Sequence, residues 1–419
     1  MQGCLYSIKN LYSVRALVES KLNHTLQCKD QENNSQIIRP DKPATPTSKK
    51  SKKTSYLILS TLVTIAVFSF LFSHITFSDV VSLLENAYIP GILMFVALSF
   101  VMSFFRAWRY LILLKVSGYS PNIVVLYMTV LVGNFFSDLL PARTGSLIYV
   151  FLITTRLGVP FAASASSFAI AFLFDLLSLA PILALIAMGS QDLGQISIWF
   201  VLASGLGITV LSFLLLRFLP NICTWCSEHT KLLPFLSNGK KEKLSNLLCE
   251  TQREIDTAQK AGVYTRLFFL SGVIRLIKYG AQYMVLFSLL QPLGYMLPDL
   301  NVFKVYLGIC AAESAASLPF AGIAGFGIFE GTWALVFELL GFPSHIAKVT
   351  SISLHFFVQI YGYILGAIAL GFLLLPIFKT KTIPEPKIFA QDSWLIFYTK
   401  LIGSIAILLV GIILFVTKQ

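Results

Sequence analysis

Asp138, Pro141, Arg143 and Gly145 interrupt the apolar stretch NFFSDLLPARTGSLIYVFLITTRLGVP, residues 134–160. Ionisable side chains at membrane depth are costly, so each marks a candidate site. An arginine beside a proline-broken helix can hold a phosphate through two parallel hydrogen bonds, with a charge that does not titrate away. Backbone N–H groups freed at the start of the next helix, beside Gly145, would add to an anion site. The plainer use of Arg143 is an ion pair with Asp138 or Asp175 that fastens the bend. The two uses are compatible.

Other buried charges recur downstream. Asp175 stands in FAIAFLFDLLSL, apolar on both sides, and needs a counter-ion. Arg143 is the nearest in motif terms, and a structural ion pair is the expected role. Arg275 and Lys278 lie three apart on one helical face, which Gln282 continues. Glu313, with Ser314 and Ser317, makes a facing polar stripe, so a Lys278–Glu313 or Arg275–Glu313 pair is expected. Alternatively the basic pair holds a lipid phosphate in a cavity, or Arg275 snorkels towards water. Glu330 stands in GFGIFEGTW, where Gly327 and Gly331 permit a helix break or close helix approach. It is the acidic counterpart of Arg143. His355 and Gln359 follow at i and i+4, with hydrogen-bonded structure the expected role for the histidine. Cys223 and Cys226 form a C-x-x-C without companion ligands and read as plain thiols rather than a metal site. Walker, dinucleotide, zincin and nucleophile-elbow motifs are absent. The expectation is a non-enzyme without cofactors.

The elements that position these residues must lie in a bilayer. The 419 residues are 56% hydrophobic and 12% charged, with mean hydropathy +0.76. Soluble domains carry about 25% charge. The apolar runs are continuous rather than alternating, which predicts an all-α polytopic membrane protein and not a β-barrel. The net charge of +12 reads as Lys and Arg gathered in cytoplasmic loops, not as a nucleic-acid surface. Residues 1–54 read as a disordered, basic cytoplasmic segment ending in Lys49, Lys50, Lys52 and Lys53. Residues 55–218 form a first membrane half, 219–265 a cytoplasmic loop with one or two surface helices, and 266–419 a second membrane half.

Candidate spans fall near 55–75, 88–112, 122–140, 144–158, 161–188, 195–218, 266–291, 301–319, 325–341, 345–376 and 394–416, so roughly 8–11 segments are in the membrane. An amphipathic piece at 76–87 fits the outer interface. Arg106, Arg109 and Lys115 read as cytoplasmic charges that follow the second span, which agrees with a cytoplasmic N-terminus. Segments 144–158 and 325–341 are short for a crossing of about 20 residues. Each follows Leu-Pro and glycine, and each ends in Leu-Gly-x-Pro, at 157–160 and 340–343. With the loop charges, this predicts an inverted repeat whose short, Gly/Pro-broken helices either re-enter or cross with a tilt. Such pairs point to a transport site near the midplane.

The stretches LPARTGSLIYVFLITTRLGVPFAASASSFAIAFLFDLLSL and SLPFAGIAGFGIFEGTWALVFELLGFP resemble the membrane region of the lysylphosphatidylglycerol synthase/flippase family. Leu140, Pro141, Arg143, Gly145 and Asp175 match its first motif, and Leu318, Pro319, Gly327, Glu330 and Gly331 its second. Ser146, Tyr149, Ala171, Phe172 and Phe329 stand where the family carries charges. The resemblance covers about residues 55–416 and implies the translocating half without the aminoacyl-transferring domain. It implies an inner-membrane protein that moves a phospholipid or polyprenyl-linked headgroup between leaflets, with a homo-oligomer or a lipid-modifying enzyme as further partners. A small-solute transporter and a membrane scaffold for an envelope enzyme are the alternatives.

Overall fold

The computed structural model describes residues 76–139, 146–189, 192–230, 238–317 and 326–375, with positions 69, 71 and 73. The segment 1–54 and the expected spans at 55–75 and 394–416 fall essentially outside the described residues. Among the described residues the secondary structure is helical, without strands. Five helical stretches are long and apolar enough to cross a membrane: Ile89–Val116, Phe161–Gly189, Ile198–His229, Tyr264–Leu293 and Ser344–Leu374. The protein is therefore a multi-pass, all-α membrane protein.

Helix α1, Phe77–Glu85, is the expected amphipathic piece. Thr76 caps its first turn, and Asp79 reaches back to the Thr76 N–H at 2.8 Å, which closes a capping box. Next come α2 (Ile89–Val116), α3 (Ile123–Leu139), α4 (Ser146–Leu157), α5 (Phe161–Leu177) and α6 (Leu179–Gly189). The expected span at 161–188 is found as the stretch Phe161–Gly189, which α5 and α6 share with an interruption at Ser178. Helix α7, Ile198–His229, runs eleven residues past the expected end at 218. A surface helix α8, Asn238–Lys260, docks against it. The second half holds α9 (Tyr264–Leu290), α10 (Val302–Ala316), α11 (Ile328–Leu339) and α12 (Ser344–Leu374).

The halves repeat one pattern. A long helix leads to a shorter one, then to a break, a 12-residue helix and a further helix: α2-α3-α4-α5 and α9-α10-α11-α12. The Leu-Gly-x-Pro motif has the same job in both. Gly158 and Gly341 take φ of +69° and +93°, a left-handed turn that glycine adopts without steric cost. Pro160 and Pro343 then cap the next helix with extended backbone. In each half a glycine of the second helix meets an aromatic of the short one, Gly133 against Tyr149 and Gly308 against Phe337.

The leading helices α2 and α9 run antiparallel. The Tyr88 N–H, before α2, donates to the Ser288 carbonyl near the end of α9 at 2.8 Å. Arg109, near the end of α2, reaches Ser271 near the start of α9 at 2.7 Å. The halves therefore stand in opposite orientations, as an inverted repeat requires. The loop 192–197 joins both ends of the α10–α11 pair at one face of the bundle. Asp192 pairs with Lys304 at the start of α10 at 2.9 Å, and the Gln195 N–H donates to the Leu339 carbonyl at the end of α11 at 2.8 Å. At 1.5 Å per residue, α10 and α11 are about 22 and 18 Å long, short of the roughly 30 Å hydrocarbon core.

Pro220, inside α7, has no N–H to give to the carbonyl of Leu216. Gln259 of α8 donates to that carbonyl instead, at 3.3 Å. The apolar core forms two clusters. One is built on α6 and on the α10, α11 and C-terminal α9 side chains. The other is built on α3, α4, α5 and the neighbouring face of α8. Leu176 packs against both, and the buried charges lie along this seam.

Candidate functional site

At the seam Arg109, 1% exposed, donates through both terminal nitrogens to Asp175, the Nη2–Oδ2 bond being 2.9 Å. Its Nη1 also reaches Ser271 Oγ. This fork-on-carboxylate geometry suits arginine, whose planar guanidinium offers parallel donors. Arg275 lies on the other side of Asp175. It donates to the Asp175 carbonyl at 2.6 Å, to Ser178 Oγ at 3.1 Å and to Tyr279 OH at 2.9 Å. Arg275 thus grips the last turn of α5 and its cap, Ser178, where α5 gives way to α6.

The network continues on α10. Glu313 pairs with Lys278 at 2.6 Å, stands 4.0 Å from Arg275 and accepts from Gln282 at 2.8 Å. On α2, Arg106 donates to Asn134 of α3 at 2.7 Å. Four basic side chains, Arg106, Arg109, Arg275 and Lys278, therefore share this seam with two carboxylates, Asp175 and Glu313, among the described residues. Beside them a cavity of about 100 Å³ opens between α2, α3, α9 and α12, lined by Ser99, Ser103, Asn134, Lys278, Gln282 and Tyr361 with apolar neighbours. That is room for about three waters.

A second buried cluster sits at the start of α11. Glu330, 0% exposed, accepts from the Gly327 N–H at 2.7 Å and bonds His355 Nδ1 through its other oxygen. Gln359 Nε2 lies 3.0 Å from His355 Nε2. Gly327 holds φ +102° and ψ −70°, a region that glycine alone enters easily. The Gly331 N–H bonds back to the Gly327 carbonyl at 2.9 Å.

A family model described as the lysylphosphatidylglycerol synthase TM region matches residues 57–366. The chain belongs to this family. A part of it is also similar to Glycosyltransferase AglD of Haloferax volcanii, 26% identical over 151 residues, which is 36% of this chain and 24% of that protein. The chain thus matches about a quarter of the length of that curated relative. In this member of the lysylphosphatidylglycerol synthase TM family, Asp175 is the first-motif residue whose surroundings are on view. Its ion-pair partner among the described residues is Arg109; the expected partner, Arg143, lies outside them.

Arg109 and Arg106 do not follow the span as surface charges. They lie inside α2, where the sequence reading had assigned them to loop topology. Their spacing to Lys115 disguised them: an arginine six residues from a helix-ending lysine looks like part of one basic cluster. The Lys278–Glu313 pair is found as expected, and Arg275 points inward rather than snorkelling. Glu330 is brought together with His355 and Gln359. Pro141, Arg143, Gly145 and Pro319 lie outside the described residues. Asp138 falls in the last turn of α3, and its side chain is likewise outside them. Cys223 and Cys226 are free thiols, and among the described residues no group of three metal-ligating side chains gathers.

Proposed function

We propose that this protein moves the headgroup of an anionic lipid, a phospholipid or polyprenyl-linked phosphate, between the leaflets of the cell's inner membrane. The observation that carries this reading is the surplus of basic side chains at the seam between the inverted halves, beside a largely apolar cavity that Lys278 and Gln282 line. Buried charge of one sign is costly unless something of the other sign visits it. A phosphate is the anion that a lipid can present there while its tails stay in hydrocarbon. Lys278 is the residue best placed to meet it, since it lines the cavity and its side chain is 31% exposed.

At about 100 Å³ the cavity is too small for a whole headgroup, so entry requires the helices around it to part. The α10–α11 pair is the natural moving piece. It is read here as a re-entrant hairpin, and the α3–Pro141–α4 segment as its counterpart in the other half, with Arg143 and Asp138 at its turn. Translocation breaks no covalent bond, and the reading is of a transporter rather than an enzyme. The lysines before residue 54 support a cytoplasmic N-terminus. The partial similarity to a glycosyltransferase supports a second reading, a membrane scaffold for an enzyme acting on lipid-linked glycans.

The test is translocation of fluorescent phospholipids in proteoliposomes with an external quencher, for wild type, Lys278→Gln and Arg143→Ala. Rapid loss of protection in wild type, slowed about tenfold or more for anionic lipids in the variants, is the expected result. Wild-type rates equal to empty liposomes for every lipid, with folded protein present, would sink the lipid reading and leave the scaffold.

A further inference from the structure

A second cavity, of about 320 Å³, opens between α1, the end of α9 and the start of α12. It lies at the face of the bundle opposite α8, where the apolar stretch Tyr264–Leu293 ends and Ser344–Leu374 begins. Two crossing helices meet the bilayer surface there, so the cavity stands at the depth of lipid headgroups. We infer that it binds the zwitterionic headgroup of an aminolipid, with a primary ammonium at Asp79 and Asn86 and a phosphate at His345 and the first turn of α12. The site is separate from the seam and is read by binding alone, so it does not depend on translocation.

The acidic pole is built by α1. Asp79, Ser82 and Asn86 follow at intervals of three and four residues, share one helical stripe and line the cavity. Asp79 Oδ2 accepts from the Thr76 N–H at 2.8 Å and lies 3.8 Å from His345 Nε2, which leaves Oδ1 for a ligand. The Thr76 N–H and hydroxyl hold the Asp79 carboxyl below its ordinary range, so it is ionised at neutral pH. The Asn86 amide nitrogen donates to the Ser82 carbonyl at 2.8 Å. A carbonyl can only accept, so the nitrogen must face it, and the Asn86 oxygen is left as a second acceptor. With the Ser82 hydroxyl these make three acceptors, the complement of an ammonium with three N–H groups. From Thr76 to Ile89 the chain has Asp79 and Glu85 and no Lys or Arg.

The donor pole belongs to α12. Its first turn has no side-chain cap, so N–H groups there are open to an anion, and the exposed His345 ring lines the cavity beside them. Lys348, one turn on, is held by Glu338 at 3.6 Å. The two poles stand side by side, as do the charges of a phosphoethanolamine, which a two-carbon unit separates. The cavity has room for about ten waters, so such a headgroup enters without the helices parting. Among the described residues no Phe, Tyr or Trp lines it, whereas a quaternary ammonium favours an aromatic cage; ethanolamine therefore fits better than choline. Leu83, Leu289, Leu293 and Val349 stand in its wall. They suit the glycerol and first methylenes of a lipid, which a soluble amine does not carry.

The test titrates the purified protein in detergent with phosphatidylethanolamine, phosphatidylcholine and phosphatidylglycerol and counts bound lipid by native mass spectrometry. Phosphatidylethanolamine should bind about fivefold more tightly than phosphatidylcholine, the size of one net hydrogen bond. Asp79→Asn, which keeps an acceptor for the Thr76 N–H, should erase that difference. Phosphatidylglycerol, which has no ammonium, should bind no worse to this variant than to wild type. His345→Ala should weaken both zwitterionic lipids. A photoactivatable phosphatidylethanolamine should crosslink to residues 76–86 or 343–350. Equal binding of the two zwitterionic lipids by wild type, a preference that survives Asp79→Asn, or crosslinks confined to other segments would overturn the site. Free glycerophosphoethanolamine that displaces the lipid at matching concentration would overturn the lipid assignment and leave a site for a soluble amine. Should Asp79→Asn not fold, Ser82→Leu, which fills the cavity without touching the Thr76 cap, should lose the preference in the same measurement.

Discussion

Asp175 answers to two arginines, and this makes the cost of removing it different from the cost of removing either one. Asp175→Asn leaves Arg109, 1% exposed, facing Arg275 with no carboxylate between them. Stranding a buried charge in this way costs about 3–5 kcal/mol. Arg109→Met removes two charge-assisted bonds but leaves the carboxylate beside Arg275. The Asp175 side chain is also 30% exposed, so water can take part of the vacated place. The expected cost is about 1.5–3 kcal/mol, the range for hydrogen bonds to charged groups. The double variant Arg109→Met/Asp175→Asn strands nothing and should be no worse than Asp175→Asn alone, with a coupling of about 2 kcal/mol. Unfolding midpoints of all three in detergent or mixed micelles supply the cycle. Additive losses, or Asp175→Asn milder than Arg109→Met, would refute the reasoning that one carboxylate serves both arginines.

Three further outcomes follow from other parts of the molecule. Single cysteines at Asp299 and Ser344 should react with a membrane-impermeant maleimide from one side of the bilayer, and a cysteine at Gly262 from the other; labelling of the first two from opposite sides would rule out a hairpin of α10 and α11. Gly366→Ala drives a Cβ into the Phe135 ring base, and overpacking of this kind should destabilise the α3–α12 contact by about 1–3 kcal/mol in thermal melts. Burial on α8 raises the Glu254 carboxyl above its ordinary range, so its folded state favours the proton. The resulting penalty is absent below the ordinary carboxylate range and grows as pH rises towards the raised value. Glu254→Gln should therefore raise the melting temperature at neutral pH and leave it unchanged in acid.

The membrane class, the amphipathic helix α1 and the paired short helices α4 and α11 were legible in the sequence because hydropathy and the Leu-Gly-x-Pro repeat are local signals. The Lys278–Glu313 pair was legible because each residue declares its helical face. Asp175 declared its need for a counter-ion but not which one. Arg109 lies 66 positions away, and nothing in the spacing of either residue reports that α2 and α5 meet there. The break at Ser178 had a local signal, Pro181, which has no N–H for the Leu177 carbonyl; that Arg275 binds beside it was not legible. The Glu330–His355 pair was half visible: each residue stood out alone, and only the packing of α11 on α12 joins them.

Pro220 gives α7 a mechanical character. The helix is one continuous rod from Ile198 to His229, and α8 lies along its far end, where Ser227 meets Ser245 at 2.8 Å. A proline is the place where such a rod bends most readily. Here the carbonyl that the proline leaves without its usual partner is held by Gln259 of α8. Bending the rod at that fulcrum and lifting α8 off it therefore strain the same hydrogen bond. A displacement among the membrane helices would reach the surface as a tilt of α8, and a partner that clamps α8 would stiffen the lever from outside.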